Sequence, residues 1–145
     1  MIREALFDDI PALLEMGEKF VGEAYGRLDV PFDYESCDML LQGLISKENG
    51  ILLTNDARDG MFAALVHGWH FNVHVKTSTE LFWWAEKSCK EARAMKRQGE
   101  DVARYLGAKT MNMANQQHMR SDALTRLYRM DGYNLSENIF IKGLI

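Results

Sequence analysis

Apolar positions in this chain follow two rhythms, one of three to four residues and one of two, and the switches between them delimit the elements. Residues 1–5 are short and half apolar and predict a first strand. Asp8, Asp9, Ile10 and Pro11 then open a helix. Aspartates suit a helix N-terminus, proline suits its first turn, and Ile10, Leu13, Leu14 and Phe20 carry the apolar stripe. A connection containing glycine and proline, residues 26–31, ends that region. Residues 33–47 predict a second helix, apolar at Met39, Leu40, Leu41, Leu44 and Ile45 and stopped by Asn49-Gly50.

Residues 50–54 then read as a strand, 56–60 as a hairpin-type turn, and 61–66 as the returning strand, prolonged through Phe71. The stretch 73–78 reads as a polar loop and 79–84 as another strand. Residues 88–106 predict a helix stopped by Gly107, 109–113 a strand, 121–130 a helix ending at Asp131-Gly132, and 138–144 a last strand. The order β-α-α-β-β-β-α-β-α-β fits neither a uniform βαβ alternation nor an antiparallel meander. It predicts an α/β fold: a mixed central sheet of six to seven strands with helices on both faces. With two prolines, no linker-like stretch and no internal repeat, residues 1–145 read as a single domain.

Composition narrows the function classes. Apolar residues at 47% and charged residues at 26% are ordinary for a chain with a real core. A formal charge of −4 argues against a nucleic-acid or membrane-surface binder. The N-terminus lacks the apolar core of a signal peptide, and no apolar run approaches the roughly 20 residues of a membrane helix. Two cysteines, Cys37 and Cys89, make no disulfide framework and point to a reducing, cytoplasmic setting. His70 and His74 would share a strand face near His67. No carboxylate or cysteine completes the set, so no metal site is expected.

Four local patterns, in order, resemble the GNAT superfamily of N-acetyltransferases. Ile2-Arg3-Glu4-Ala5 with Asp8-Asp9-Ile10-Pro11-Ala12-Leu13 resembles its opening strand and helix. Thr79-Glu80-Leu81-Phe82-Trp83-Trp84 resembles its central fourth strand. Ala103-Arg104-Tyr105-Leu106-Gly107-Ala108 resembles the end of its acetyl-CoA helix, and Leu127-Tyr128-Arg129-Met130-Asp131-Gly132-Tyr133 matches its L-Y-x-x-x-G-F/Y motif. The resemblance spans essentially the whole chain. It implies the GNAT fold, acetyl-CoA as donor, an amine of a small molecule or protein as acceptor, and often a homodimer. A cleft is implied where strand 79–84 diverges from strand 109–113.

Acetyl transfer needs a deprotonated amine, a polarised carbonyl, a reprotonated thiolate and a hold on the donor's pyrophosphate. The resemblance gives Tyr128 the role of general acid and Glu80 that of general base, and lays the donor's arm along Phe82, Trp83 and Trp84. Without it, Tyr128 and both tryptophans read as core, and Glu80 as an outward strand carboxylate. The family's pyrophosphate pattern, R/Q-x-x-G-x-G/A, falls on Lys87-Ser88-Cys89-Lys90-Glu91-Ala92, with Lys90 in place of the first glycine. Two readings compete there. Ser88 and Glu91 spell a capping box, in which side chains satisfy the helix's own amides. Lys87, Lys90 and Arg93 instead crowd a helix start, which the dipole disfavours unless an anion binds. The first reading motivates an alternative role, a GNAT-fold binding or structural protein without catalysis, of the kind found in phage virions.

Overall fold

A computed structural model describes residues 1–144. Five strands form one sheet in the order of the sequence: β1 (Ile2–Glu4), β2 (Gly50–Asn55), β3 (Gly60–Trp69), β4 (Asn72–Ala85) and β5 (Thr110–Asn112). The first four pair antiparallel and β5 runs parallel to β4, so the sheet is mixed. Helices α1 (Ile10–Tyr25) and α2 (Tyr34–Ser46) cover one face, and α3 (Ala92–Tyr105) covers the other. Helix α4 (Ser121–Met130) follows β5.

Alternation along the strands builds two cores. Leu52, Met61 and Ala63 point toward α1 and α2, where Leu13, Phe20, Leu41 and Leu44 meet them. Ile51, Leu53, Phe62, Ala64 and Val66 point to the α3 side, against Met95 and Ala103. Helix α3 lies tight on the sheet because Gly99 has no side chain. A Cβ there would stand 2.3 Å from the Phe62 ring.

Several expectations need correction. Residues 73–78 are not a loop. They belong to β4, which pairs with an extended β3 across a turn at His70-Phe71, so cross-strand bonding outweighs the polar sequence. The strand ending expected at Phe71 stops at Trp69 for the same reason. Residues 138–144 form no strand. Leu135, Ile139, Phe140 and Leu144 stand exposed, Phe140 at 93%, and β5, only three residues long, is the last strand of the sheet, with the tail unpaired. Among the described residues the sheet therefore has five strands rather than six or seven.

Helix α3 starts at Ala92, not residue 88. Helix α1 starts at Ile10, after a 3₁₀ turn, Phe7–Asp9. Asp9 does not cap it but turns inward, 1% exposed. There it accepts a bidentate pair from Arg3 at 2.7 and 3.0 Å, Arg58 Nε at 2.7 Å and the Leu6 N–H at 2.8 Å.

Candidate active site

The site begins where the sheet splits. Strands β4 and β5 pair only through Thr77–Thr110, Ser78–Met111 and Thr79–Asn112. Beyond Thr79, β4 continues to Ala85 bonded to β3 alone, and its other edge is open. Strand β4 also carries a bulge. Ala63 faces Phe82 and Ala64 faces Glu80, leaving Leu81 without a partner. The chain's two catalytic candidates lie at this fork.

Glu80 occupies the fork itself. Its Oε2 accepts the Ala114 N–H at 2.7 Å. The carboxyl is packed in by protein, and burial pushes its pKa up to about 7, against the opposing pull of that amide. Tyr128 reaches the same residue from α4, its hydroxyl donating to the Ala114 carbonyl at 2.9 Å. Burial first, and the nearby Glu80 charge second, push the phenol well above its ordinary range. The Tyr128 ring lies 6.4 Å from Trp83 and 5.5 Å from Tyr133. The sequence singled out both residues. It could not single out Ala114, which contributes only backbone.

Trp83 and Trp84 face opposite sides, as adjacent strand residues must. Trp84 packs with Phe82 on the α1 side and Trp83 on the α3 side. Each indole N–H is buried without an acceptor among the described residues. Residues 114–120 lead from β5 to α4 and touch the end of α1. Gln116 Nε2 donates to the Tyr25 hydroxyl at 3.1 Å, and a ring nitrogen of His118 lies 2.7 Å from the Ala24 carbonyl.

The turn between β4 and α3 shows how the competing readings of residues 87–93 come out. Neither bond of the capping box forms. Ser88 donates to Asp59 Oδ2 at 2.9 Å, and Glu91 accepts Asn55 Nδ2 at 2.9 Å. Asn55 is buried, 2% exposed, and also bonds both the amide and the carboxylate of Asp59. This buried relay from the β2–β3 turn removes the two side chains that would cap α3. The amides of Ala92, Arg93 and Ala94 consequently have no acceptor among the described residues. Lys87 and Lys90 are exposed beside them. Arg93 is drawn elsewhere, its guanidinium donating to Asp131 at 2.8 Å. Ala92 is the first residue of the helix.

A second group escaped the sequence reading. Lys96 is completely buried, paired with Glu100 and, at 2.9 Å, with Asp131 Oδ2, and lies 5.0 Å from the centroid of the Tyr133 ring. The signal was present: Met95, Gly99 and Ala103 form the buried stripe of α3, and Lys96 adjoins it with Glu100 one turn on. The histidines hold no common ligand geometry. The two ring nitrogens of His67 lie 2.9 Å from the Gly68 carbonyl and the Thr79 hydroxyl. Two hollows are lined by other residues than those of the fork: one of about 410 Å³ beside Arg97, Glu100 and Asp131, and one of about 220 Å³ between β2 and the end of α3.

No family model matches the chain, and no curated protein matches it in sequence. Solved structures do match across the whole length. A transcriptional regulator from Bacillus halodurans superposes with a TM-score of 0.75 at 16% identity, with 99% of each chain covered. An aminoglycoside acetyltransferase from an uncultured soil metagenomic sample gives 0.70 at 13% identity, covering 100% of this chain and 98% of its own. The aminoglycoside 6′-N-acetyltransferase of Acinetobacter haemolyticus gives 0.67 at 13% identity, covering 99% and 97%. These likenesses establish the fold, a mixed α/β fold that the chain shares with them over its whole length, of the class expected from the sequence.

Proposed function

We propose that this chain is a GNAT-type N-acetyltransferase that moves the acetyl group of acetyl-CoA directly onto an amine of a small molecule or protein. One observation carries the reading: β4 and β5 separate after Thr79, and Glu80 and Tyr128 bind the two backbone groups of Ala114 at the fork. The residues suit the donor. The first turn of α3 offers uncapped amides and the positive end of its dipole to the pyrophosphate, with Lys87 and Lys90 adding charge beside Ser88 and Ala92. The open edge of β4 along Phe82, Trp83 and Trp84 offers unpaired backbone to the donor's amide-bearing arm.

In this reading Glu80 acts first. With a pKa near 7 its carboxylate is a base matched to neutral pH: the acceptor enters as the neutral amine, its ammonium proton already lost to solvent, and Glu80 takes the remaining surplus proton from nitrogen as that nitrogen attacks. The amine nitrogen attacks the thioester carbonyl, a C–N bond forms, and the C–S bond breaks. Tyr128 gives its proton to the departing thiolate. The order matters, because the Glu80 charge helps to hold the Tyr128 proton on. Once Glu80 is protonated that charge is gone and the phenol becomes a better acid. The proton on Glu80 then returns to the phenolate through solvent, and both groups are reset. No acyl-enzyme is required.

The capping box that motivated a non-catalytic role does not form, which favours the enzyme. Both cysteines are free, as suits a cytoplasmic enzyme. A homodimer belongs to the same reading, since a second copy would cover the apolar tail left exposed at Leu135, Ile139, Phe140 and Leu144. The test is calorimetric titration with acetyl-CoA, followed by release of free CoA thiol with a panel of amines. Kanamycin heads the panel because two similar structures are aminoglycoside acetyltransferases; spermidine and a lysine peptide follow. Saturable binding with amine-dependent thiol release supports the reading. Failure to bind acetyl-CoA at millimolar concentration sinks it.

A further inference from the structure

The best-buried charge in the molecule has no part in the reaction above. Lys96 is fully covered, and a buried ammonium is costly unless its partners hold it closely. Its partners all lead to the end of α4. Asp131, the C-cap of that helix, binds Lys96 at 2.9 Å, Arg93 at 2.8 Å and Arg97 at 3.4 Å. These cations hold its carboxyl well below the ordinary carboxylate range. Glu100, which binds Lys96 one turn along α3, also accepts the Tyr133 hydroxyl at 2.8 Å. The Tyr133 ring lies near Lys96 on one side and Tyr128 on another.

The backbone ties these contacts to Tyr128. Gly132, at φ +88°, turns the chain back on itself. That reversal lets the amides of Asp131 and Tyr133 both donate to the Tyr128 carbonyl, at 3.1 and 2.9 Å. The Tyr128 peptide is thus fastened to Asp131 and Tyr133, and both of those are fastened to α3 through Lys96 and Glu100. Helix α4 has no other charged anchor of comparable burial among the described residues.

We propose that Lys96 is a positioning residue for Tyr128: from within α3 it fixes the end of α4, through Asp131 and through Glu100 and Tyr133, so that the phenol stays at the fork beside Ala114. The proposal rests on the catalytic reading for its kinetic consequence, but not for its structural one. Displacing a reacting group by about 1 Å can cost on the order of a hundredfold in rate, so small shifts are enough.

The experiment has two arms. In the first, crystal structures of Lys96→Met and of the milder Tyr133→Phe, which cuts only the bond to Glu100, are compared with wild type. Expected is loss or lengthening of the Tyr128–Ala114 hydrogen bond; a phenol left in place in both variants overturns the proposal. In the second, thiol release from acetyl-CoA with the best amine of the panel is measured for Tyr133→Phe and Lys96→Met in the wild-type and Tyr128→Phe backgrounds. Expected is a fall in kcat of about tenfold or more with KM for acetyl-CoA little changed, and no further fall once Tyr128 is Phe. Equal losses in both backgrounds mean a merely structural role and also overturn it. A wild type that transfers no acetyl group instead counts against the enzyme reading, while the crystallographic arm still decides the positioning.

Discussion

Glu80 and Tyr128 hold the same residue from opposite sides: the Ala114 amide donates to the Glu80 carboxylate at 2.7 Å, and the Ala114 carbonyl accepts the Tyr128 hydroxyl at 2.9 Å. The two groups come from different elements, β4 and α4, and meet only because β5 ends at Asn112 and leaves Ala114 free of the sheet. Their charges are linked as well, since the Glu80 carboxylate helps to keep the phenol protonated. If the two act as the base and the acid proposed above, their variants should lose function in distinguishable manners.

Glu80→Gln should remove the rising acidic limb of kcat/KM, which wild type should show near pH 7. Stability has the opposite sense. The folded-state pKa is raised, so the proton-linked stability is fully present below the carboxyl's ordinary value near 4.5 and is lost as pH climbs through about 7. Above that pH a half-buried carboxylate opposes folding. Glu80→Gln should therefore be more stable than wild type at pH 8, by about 1–3 kcal/mol, with the gain vanishing toward pH 4. Thermal melts across pH check this, and a variant less stable at pH 8 would speak against a strained carboxylate.

Tyr128→Phe keeps the ring packed against Trp83 and Tyr133 and removes one hydroxyl. General acid catalysis is worth roughly 10²–10⁴-fold, so kcat should fall by that order while acetyl-CoA binding stays near wild type. The lost hydrogen bond to Ala114 should cost about 1 kcal/mol of stability. A much larger loss of stability, with turnover unchanged, would make the hydroxyl a structural group only.

Lys87→Glu with Lys90→Glu should weaken CoA binding by roughly ten- to a hundredfold, most at low salt, because both lysines are exposed and screened. Calorimetry at two ionic strengths measures it. Unchanged affinity would reduce the pair to a solvated face.

The chain's acid stability should depend on Asp9. Arg3 above all holds its carboxyl far below the ordinary carboxylate range, against the opposing effect of burial. The folded pKa is depressed, so this stability is present above about pH 4 and is lost as pH falls below it. Asp9→Asn should cost about 2 kcal/mol at pH 7, modest for so buried a group because Arg58 is half exposed and regains water. The difference from wild type should shrink in acid denaturation.

Deleting residues 134–145 should abolish self-association if the exposed Leu135, Ile139, Phe140 and Leu144 form the contact between two copies. Light scattering of the full chain and the truncation reads the result; a full chain that stays monomeric at high concentration refutes the dimer.

Much of the fold was legible because its helices are amphipathic and its hairpin has strong turn chemistry. The helix expected over residues 33–47 is observed over Tyr34–Ser46, with Asp33 capping it by accepting the Ser36 N–H at 2.8 Å. What escaped was set by partners distant in sequence. Residues 72–78 are strand because β3 is there to pair with them, whereas 138–144 pair with no strand and stay irregular. The Ser88–Glu91 pattern is a sound capping signal locally, yet Asn55 and Asp59, more than 28 residues earlier, take both side chains. Glu80 and Tyr128 were visible as residue types in a motif. Their meeting at Ala114, and the Lys96 cluster behind Tyr128, depend on where β5 stops and how Gly132 turns the chain.

The most direct measurement is a crystal structure of the chain with CoA bound. Expected is the pyrophosphate on the amides of Ala92, Arg93 and Ala94, the arm along the open edge of β4, and the thiol within about 3.5 Å of the Tyr128 hydroxyl, close enough for proton transfer. CoA lying elsewhere, or a fork and a first turn of α3 that both remain empty at millimolar CoA, would contradict an acetyl-transfer site between β4 and β5.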